Sequence, residues 1–156
     1  MAWFNNDNND AVAPAQLTPD RMTALLKKLE FEGNDSEPGM FYCYVNGAPI
    51  RFDATKTPFA LLINVSLFEH KLPPERHDEL KLFCNDFNLR TYYVHAFVTE
   101  DSDDGQLIAC ADSQVLAGDP GLTQEQFEEA FDTALVGVIR FAEAYCEHFG
   151  FTLGDQ

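Results

Sequence analysis

The stretch from Leu80 to Val98 constrains the fold most, because its apolar pattern changes from helical to strand periodicity within a few residues. The first half repeats apolar residues at i, i+3, i+4 and i+7, and the second half alternates between two faces. The change falls at Asn88, a residue type that tolerates the left-handed conformation on which helices often end. We therefore predict a helix that ends at Asn88 and passes directly into a strand. The helical set is Leu80, Phe83, Cys84 and Phe87, and the strand set is Tyr92, Val94, Ala96 and Val98.

Cap and turn signals divide the chain before that stretch into one helix and three strands. Thr18 is a favourable N-cap for the first helix, and Gly33 is predicted to end it. Residues 34–39 have the composition of a loop. Asn46-Gly47 is the strongest hairpin signal in the chain and joins the first two strands. The third strand, 59–68, alternates a wholly apolar set with a mixed set that holds Leu62, Asn64, Ser66 and Phe68.

After the central stretch we predict a strand pair and a long helix. The strand 90–99 pairs with 106–116 across the acidic turn 100–105. Thr123 and Gln126 have the spacing of a capping box, and Gly150 ends the last helix. A continuous apolar stripe runs along this helix, so it is predicted to cover the core. The stripe holds Phe127, Phe131, Leu135, Val138, Ala142, Tyr145 and Phe149.

The order α-β-β-β-α-β-β-α predicts an α+β domain with a single antiparallel sheet of about five strands. The domain covers residues 17–150, between a disordered tail at 1–16 and a short loose tail at 151–156. The first and last helices are predicted to cover one apolar sheet face. That face holds Phe41, Val45, Ile50, Phe52, Leu61, Ile63 and Val65.

Charge and cysteine usage limit the partners and the compartment. With 10 basic and 26 acidic residues the formal net charge is −16, which disfavours binding to nucleic acids and anionic membranes but permits a basic partner. The four cysteines are dispersed among apolar neighbours, so we expect buried free thiols. The start of the sequence has no signal-peptide pattern. We therefore expect a cytoplasmic protein.

No motif in the sequence predicts a catalytic residue, a cofactor or a metal site. Asp101–Gly105 is rich in carboxylates but out of register for a calcium loop, and it joins two strands. The four histidines lack zinc-ligand spacing, and phosphate loops and nucleophile elbows are absent. One alternative remains open: His95 and Cys110 fall on adjacent strands, where a histidine could activate a thiolate, although no acidic third member is evident.

The central stretch also carries a family resemblance. The helix end Asn85-Asp86-Phe87-Asn88, followed by an aromatic-rich strand, resembles the YbjN-like family, whose members are commonly labelled bacterial sensory transduction regulators. The resemblance continues through Asp103-Asp104-Gly105 and Gly121-Leu122-Thr123, although that family usually has Trp where this chain has Phe87. It implies the fold of type III secretion chaperones, a homodimer and no catalytic residue.

These observations favour a non-enzymatic module, chaperone-like or regulatory, that binds a segment of another bacterial protein. The alternatives are an enzyme that uses His95 and Cys110, and an acidic protein that sequesters a basic partner. We expect Leu82, opposite the apolar seam of its helix, to contact a second copy of the chain. The candidate partner-binding face lies away from the long helices and holds Tyr42, Tyr44, Arg51, Leu62, Asn64, Tyr93, His95 and Phe97.

Overall fold

The computed structural model describes residues 13–154 of the chain. Residues 1–12, the larger part of the predicted N-terminal tail, and residues 155–156 lie outside this description. Three α-helices and six strands follow one another, with a short 3₁₀ turn at Pro74–Arg76 before the second helix. The elements are α1 (Pro19–Lys28), β1 (Gly33–Glu37), β2 (Met40–Val45), β3 (Ala48–Asp53), β4 (Ala60–Ser66), α2 (His77–Arg90), β5 (His95–Glu100), β6 (Leu107–Leu116) and α3 (Gln124–Phe149).

The strands form one antiparallel sheet in the order β1-β2-β3-β4-β6-β5. The predicted α+β class and order of elements are confirmed, with six strands in place of about five. The additional strand is β1, where we expected a helix end and a loop. Gly33 is the first residue of this strand. Only glycine fits there, because a Cβ would lie 2.1 Å from the carbonyl oxygen of Tyr42. Helix α1 ends earlier, at Lys28, and Glu30 takes a positive φ of 57° after it.

The core lies between one face of the sheet and the three helices, all of which contribute to a single hydrophobic cluster. The rings of Phe52 on β3 and Phe131 on α3 stack with centroids 5.4 Å apart. The predicted apolar face is confirmed, since its residues are either buried or packed against the cluster. Phe59 is the exception among the apolar set of the third strand. It precedes the first residue of β4 and is 75% exposed.

The local signals for turns and caps are confirmed. Thr18 accepts a hydrogen bond from the backbone N–H of Arg21, and Thr123 and Gln126 form the reciprocal capping box. Asn46 and Gly47 both have positive φ, 52° and 76°, as a two-residue hairpin turn requires. Gly150 is left-handed and caps α3. These elements are therefore determined by residues close in sequence.

The junction between α2 and β5 differs from the prediction. Helix α2 continues past Asn88 to Arg90, and β5 begins only at His95. The Asn88 side chain instead bonds to β5, the last strand of the sheet. Its Oδ1 accepts from the N–H of Ala96 at 2.7 Å, and its Nδ2 donates to the Ala96 carbonyl at 2.9 Å. Asn88 thus satisfies backbone groups at the outer edge of the sheet, which would otherwise be open to another strand.

Both ends of the described chain make contacts that the sequence did not predict. Ala15 and Leu122 exchange two backbone hydrogen bonds of 3.0 Å, so the segment before α1 is tied to the segment before α3. Phe151, in the segment predicted to be a loose tail, stacks on Tyr145 at 5.8 Å. Leu153 packs against the core as well. The packed part of the chain therefore extends beyond α3.

Candidate functional site

The second face of the sheet points away from the core, and we call it the open face. The pairing of the strands places outward residues of successive strands in rows across it. One row consists of Tyr42, Arg51, Asn64, Asp112 and His95, on β2, β3, β4, β6 and β5. A row of this kind gives the face several hydrogen-bonding groups beside aromatic rings, and it is not the continuous apolar surface against which a helix packs.

Strands β1 to β4 form a concave depression on the open face, with a volume of about 780 Å³, which we call the concavity. Three aromatic side chains surround it: Tyr42, Tyr44 and Phe68 are 40%, 40% and 46% exposed. Arg51 and Asn64 lie among the residues that line it. The concavity therefore combines exposed aromatic area with a polar interior, the composition that ligand and peptide sites favour.

The structure divides the eight predicted face residues into groups. Four line the concavity, and Leu62 lies beside it on β4. His95 and Phe97 lie on β5 at the far side of the sheet, with rings stacked at 5.6 Å. Tyr93 is not on a strand, because β5 begins two residues later than the position of Tyr93. Tyr93 borders a separate depression with Thr133 of α3. The four residues in the concavity are Tyr42, Tyr44, Arg51 and Asn64.

The concavity is also lined by residues that sequence reasoning did not select for the face. Ser66 and Phe68 share the strand alternation of Asn64, so their positions were readable from the sequence. Glu32 and Asn34 could not be found in this way, because they belong to the segment around β1 that was interpreted as a helix end and a loop. The unpredicted strand therefore supplies one wall of the site.

Hydrogen bonds hold three of the polar side chains that line the concavity in place. Asn64 is buried, donates from Nδ2 to the Ala111 carbonyl at 3.1 Å, and accepts at Oδ1 from the Ser66 hydroxyl at 2.9 Å. The Tyr44 hydroxyl donates to Glu69 at 2.9 Å. That bond to a carboxylate raises the pKa of the Tyr44 hydroxyl. The site is preorganised by these contacts, which lowers the entropic cost of binding.

Arg51 differs from its neighbours, because its Nε is buried and has no hydrogen-bond partner in the described part of the chain. The carboxylate of Asp53, on the same strand, is bonded to Thr55 instead, at 2.6 Å from the hydroxyl and 2.9 Å from the N–H. Burial opposes ionisation of Asp53, but the bonds from Thr55 and the charge of Arg51 hold its pKa below the usual value. The second carboxylate on this face belongs to Asp112, whose Oδ1 lies 3.7 Å from His95 Nδ1.

For the alternative enzyme site at His95 and Cys110, the structure supplies an acidic group beside the histidine but no activated thiol. Asp112 Oδ1 lies 3.7 Å from His95 Nδ1, so the acidic member that the sequence did not reveal is present. Cys110, however, faces Phe97 across the strand pair, and its Sγ lies 3.5 Å from the Ser66 hydroxyl. Burial raises the pKa of the Cys110 thiol, which opposes formation of a thiolate. The geometry therefore does not assemble a thiol–imidazole pair.

Two carboxylates of the acidic loop between β5 and β6 are paired with a lysine of the chain. Lys71 Nζ lies 2.5 Å from Asp101 and 3.0 Å from Asp104. Within residues 13–154, no group of three or more His, Cys, Asp or Glu side chains is arranged to hold a metal ion. All four cysteines are buried free thiols, as predicted. No helix in this same part of the chain has the length and apolar character needed to cross a membrane.

The fold and the open face together define an α+β protein with helices on one side of an antiparallel sheet and a concave, partly aromatic surface on the other. Comparison with known proteins identifies the family. The family model "YbjN: Putative bacterial sensory transduction regulator" matches residues 18–147, so this chain belongs to the YbjN family. That family is described by a regulatory role and not by an enzymatic reaction.

A solved structure shares the fold. It is described as "YbjN, a putative transcription regulator from E. coli", and it matches this chain with a TM-score of 0.61. The match covers 84% of this chain and 96% of the other, at 14% sequence identity. No curated protein sequence gave a significant match. At this identity the structural comparison establishes the arrangement of helices and strands, and it carries no argument about individual site residues.

Proposed function

We propose that this chain is a non-enzymatic protein-interaction module, chaperone-like or regulatory, that binds a segment of another bacterial protein on its open face. The observation that carries the proposal is the exposed aromatic rim of the concavity, formed by Tyr42, Tyr44 and Phe68. Tyrosine and arginine are enriched at interface hot spots because they combine large apolar area with polar groups. The family description as a regulator agrees with a binding role.

Charge and redox state are consistent with the partner and compartment that we propose. A net charge of −16 disfavours nucleic acid and anionic lipid as the occupant of the open face, and favours a protein segment that is neutral or basic overall. Four buried free thiols suit a reducing compartment, so we propose the cytoplasm as the location.

The test removes the two tyrosines of the aromatic rim in a protein that is shown by melting to remain folded. The double variant Tyr42→Ala with Tyr44→Ala is compared with Tyr92→Ala, which removes a tyrosine that is almost fully exposed and does not line the concavity. Partners captured from bacterial lysate are identified, purified and measured by titration. We expect the double variant to lose affinity by about 30-fold or more, as hot-spot residues do, while Tyr92→Ala binds normally.

Two outcomes of this titration would contradict the proposal. Full retention of the purified partner by a double variant that melts normally would show that the rim does not bind it. Release of the partner by high salt, with no effect of the tyrosine substitutions, would support the acidic sequestering protein instead, because exposed charge interactions are screened by salt.

We also propose that helix α2 forms a homodimer contact. Leu82 and Leu89 lie seven residues apart on one face of α2 and are 65% and 81% exposed, while Leu80 on the opposite side is buried. Sedimentation at high micromolar concentration is expected to show a dimer for the wild type and a monomer for Leu82→Glu with Leu89→Glu. Leu116→Glu, at an equally exposed leucine on β6, is the control. A monomeric wild type would exclude this contact.

A further inference from the structure

The concavity contains a cation that forms no hydrogen bond within the described chain. Arg51 is only partly buried and lines the concavity, while its Nε is shielded from solvent and forms no hydrogen bond in the described chain. A buried donor that lacks an acceptor lowers stability, and more so when it is charged. The two carboxylates on the same face, Asp53 and Asp112, lie within reach of the charge of Arg51 but form their own contacts with Thr55 and His95. Only Nε is shielded in this way, so an acceptor from outside the chain would bind the two outer guanidinium nitrogens, for which the described chain supplies no hydrogen bond.

The chemistry of the acceptor follows from the guanidinium and its surroundings. A planar guanidinium binds a carboxylate through two parallel hydrogen bonds, which makes such pairs stronger than bonds between neutral groups. Tyr42 and Tyr44 beside Arg51 offer apolar area to the chain atoms around that carboxylate. Glu32 also lines the concavity, and the whole chain carries a charge of −16. A run of acidic residues would therefore be repelled, whereas one carboxylate in a neutral or basic segment would not.

We propose that the concavity recognises a single aspartate or glutamate side chain of an extended partner segment, and that Arg51 binds its carboxylate. This inference rests on the proposed function and specifies which chemistry the open face selects. A side-chain carboxylate fits better than a chain terminus because the depression lies on the face of the sheet, where a segment can cross and continue on both sides. Arg51 sits on β3, which has strands on both of its sides.

The probe is a library of random 12-residue peptides displayed on phage and selected on the full chain. We expect selected peptides to share one acidic residue at a fixed position within a segment that is not otherwise acidic. Each peptide is then synthesised with that residue as Glu and as Gln, and with a free or an amidated C-terminus. Affinity is expected to fall about 10- to 100-fold for the Gln peptide, and to be unchanged by amidation.

Variants of the protein complete a double-mutant cycle with the Glu and Gln peptides. Arg51→Gln should weaken the Glu peptide by the same factor and should not distinguish Glu from Gln peptides, because the coupling is between these two groups. Arg90→Gln, which removes the same charge from an exposed position at the end of α2, should behave like the wild type. Without peptide, Arg51→Gln should still fold, since no hydrogen bond within the described chain depends on Nε and the loss is confined to the charge of Arg51 near Asp53 and Asp112.

Several results would overturn the inference. Selected peptides without a shared acidic residue, a Gln peptide that binds as well as the Glu peptide, or a loss on amidation alone would each exclude a side-chain carboxylate. These arms use the wild-type protein and remain decisive if Arg51→Gln does not fold. If peptides require Tyr42 and Tyr44 but are indifferent to Arg51, the inference fails and the proposed function stands. If no substitution in the concavity affects binding, both fail.

Discussion

Replacing Phe131 by alanine tests whether α3 is docked on the sheet as described. The Phe131 side chain is 1% exposed and contacts two other rings, stacking on Phe52 at 5.4 Å and meeting Phe127 edge-on at 6.2 Å. Removing a fully buried phenylalanine costs about 3–5 kcal/mol, and each aromatic pair adds about 0.5–1.5 kcal/mol beyond buried area. We therefore expect a loss in the upper part of that range, about 4–5 kcal/mol.

The assay is urea unfolding followed by circular dichroism, with a thermal melt as a second measurement. For a domain of this size about 4–5 kcal/mol corresponds to a fall in Tm of about 8–20 °C. Phe59→Ala is the matched control, because it deletes the same atoms from a ring that is 75% exposed, and it should change stability by less than about 0.5 kcal/mol. Equal effects of the two substitutions, or a loss below about 1 kcal/mol for Phe131→Ala, would refute the packing argument.

Two further predictions concern the sheet edge and the thiols. Asn88→Ala should lower the free energy of unfolding by about 1–3 kcal/mol in a urea titration, because the N–H and carbonyl of Ala96 lose their partner. An unchanged midpoint of the urea transition would show that these two bonds are dispensable. Iodoacetamide at pH 8 should modify none of the four cysteines in the folded protein and all four in urea, as measured by mass spectrometry. The reason is that all four are buried, and burial raises the pKa of Cys43 and Cys84 to about 11. Rapid labelling of the folded protein would contradict this prediction.

The sequence predicted those elements whose signals are local. Thr18, the Asn46-Gly47 turn and the Thr123–Gln126 capping box each act through residues no more than a few positions away, and all three are found in the structure. Gly33 shows the limit of this reasoning. A glycine after an apolar helix is typical of a helix end, but here it is required by the approach of a backbone carbonyl on another strand.

The same distinction applies to the site. Strand alternation correctly placed Tyr42, Tyr44, Arg51 and Asn64 on one face, because side-chain direction in a strand depends only on its period of two. Tyr93 cannot be placed in this way, because alternation does not extend into the bend before β5; it borders one depression with Thr133 and another with His95 and Asp112. The second role of Asn88 was equally hidden, since its partner Ala96 lies eight residues further along the chain, on another element.

The most direct test of the account is to map where a partner contacts the chain. Backbone amide shifts of the isotopically labelled protein are recorded by NMR before and after addition of the purified partner or of a selected peptide. We predict that the largest changes fall on outward residues of β2, β3 and β4 and on Phe68, around the concavity. Changes confined to the outer surfaces of α2 and α3, with the residues of the concavity unaffected, would contradict the claim that the open face is the binding surface.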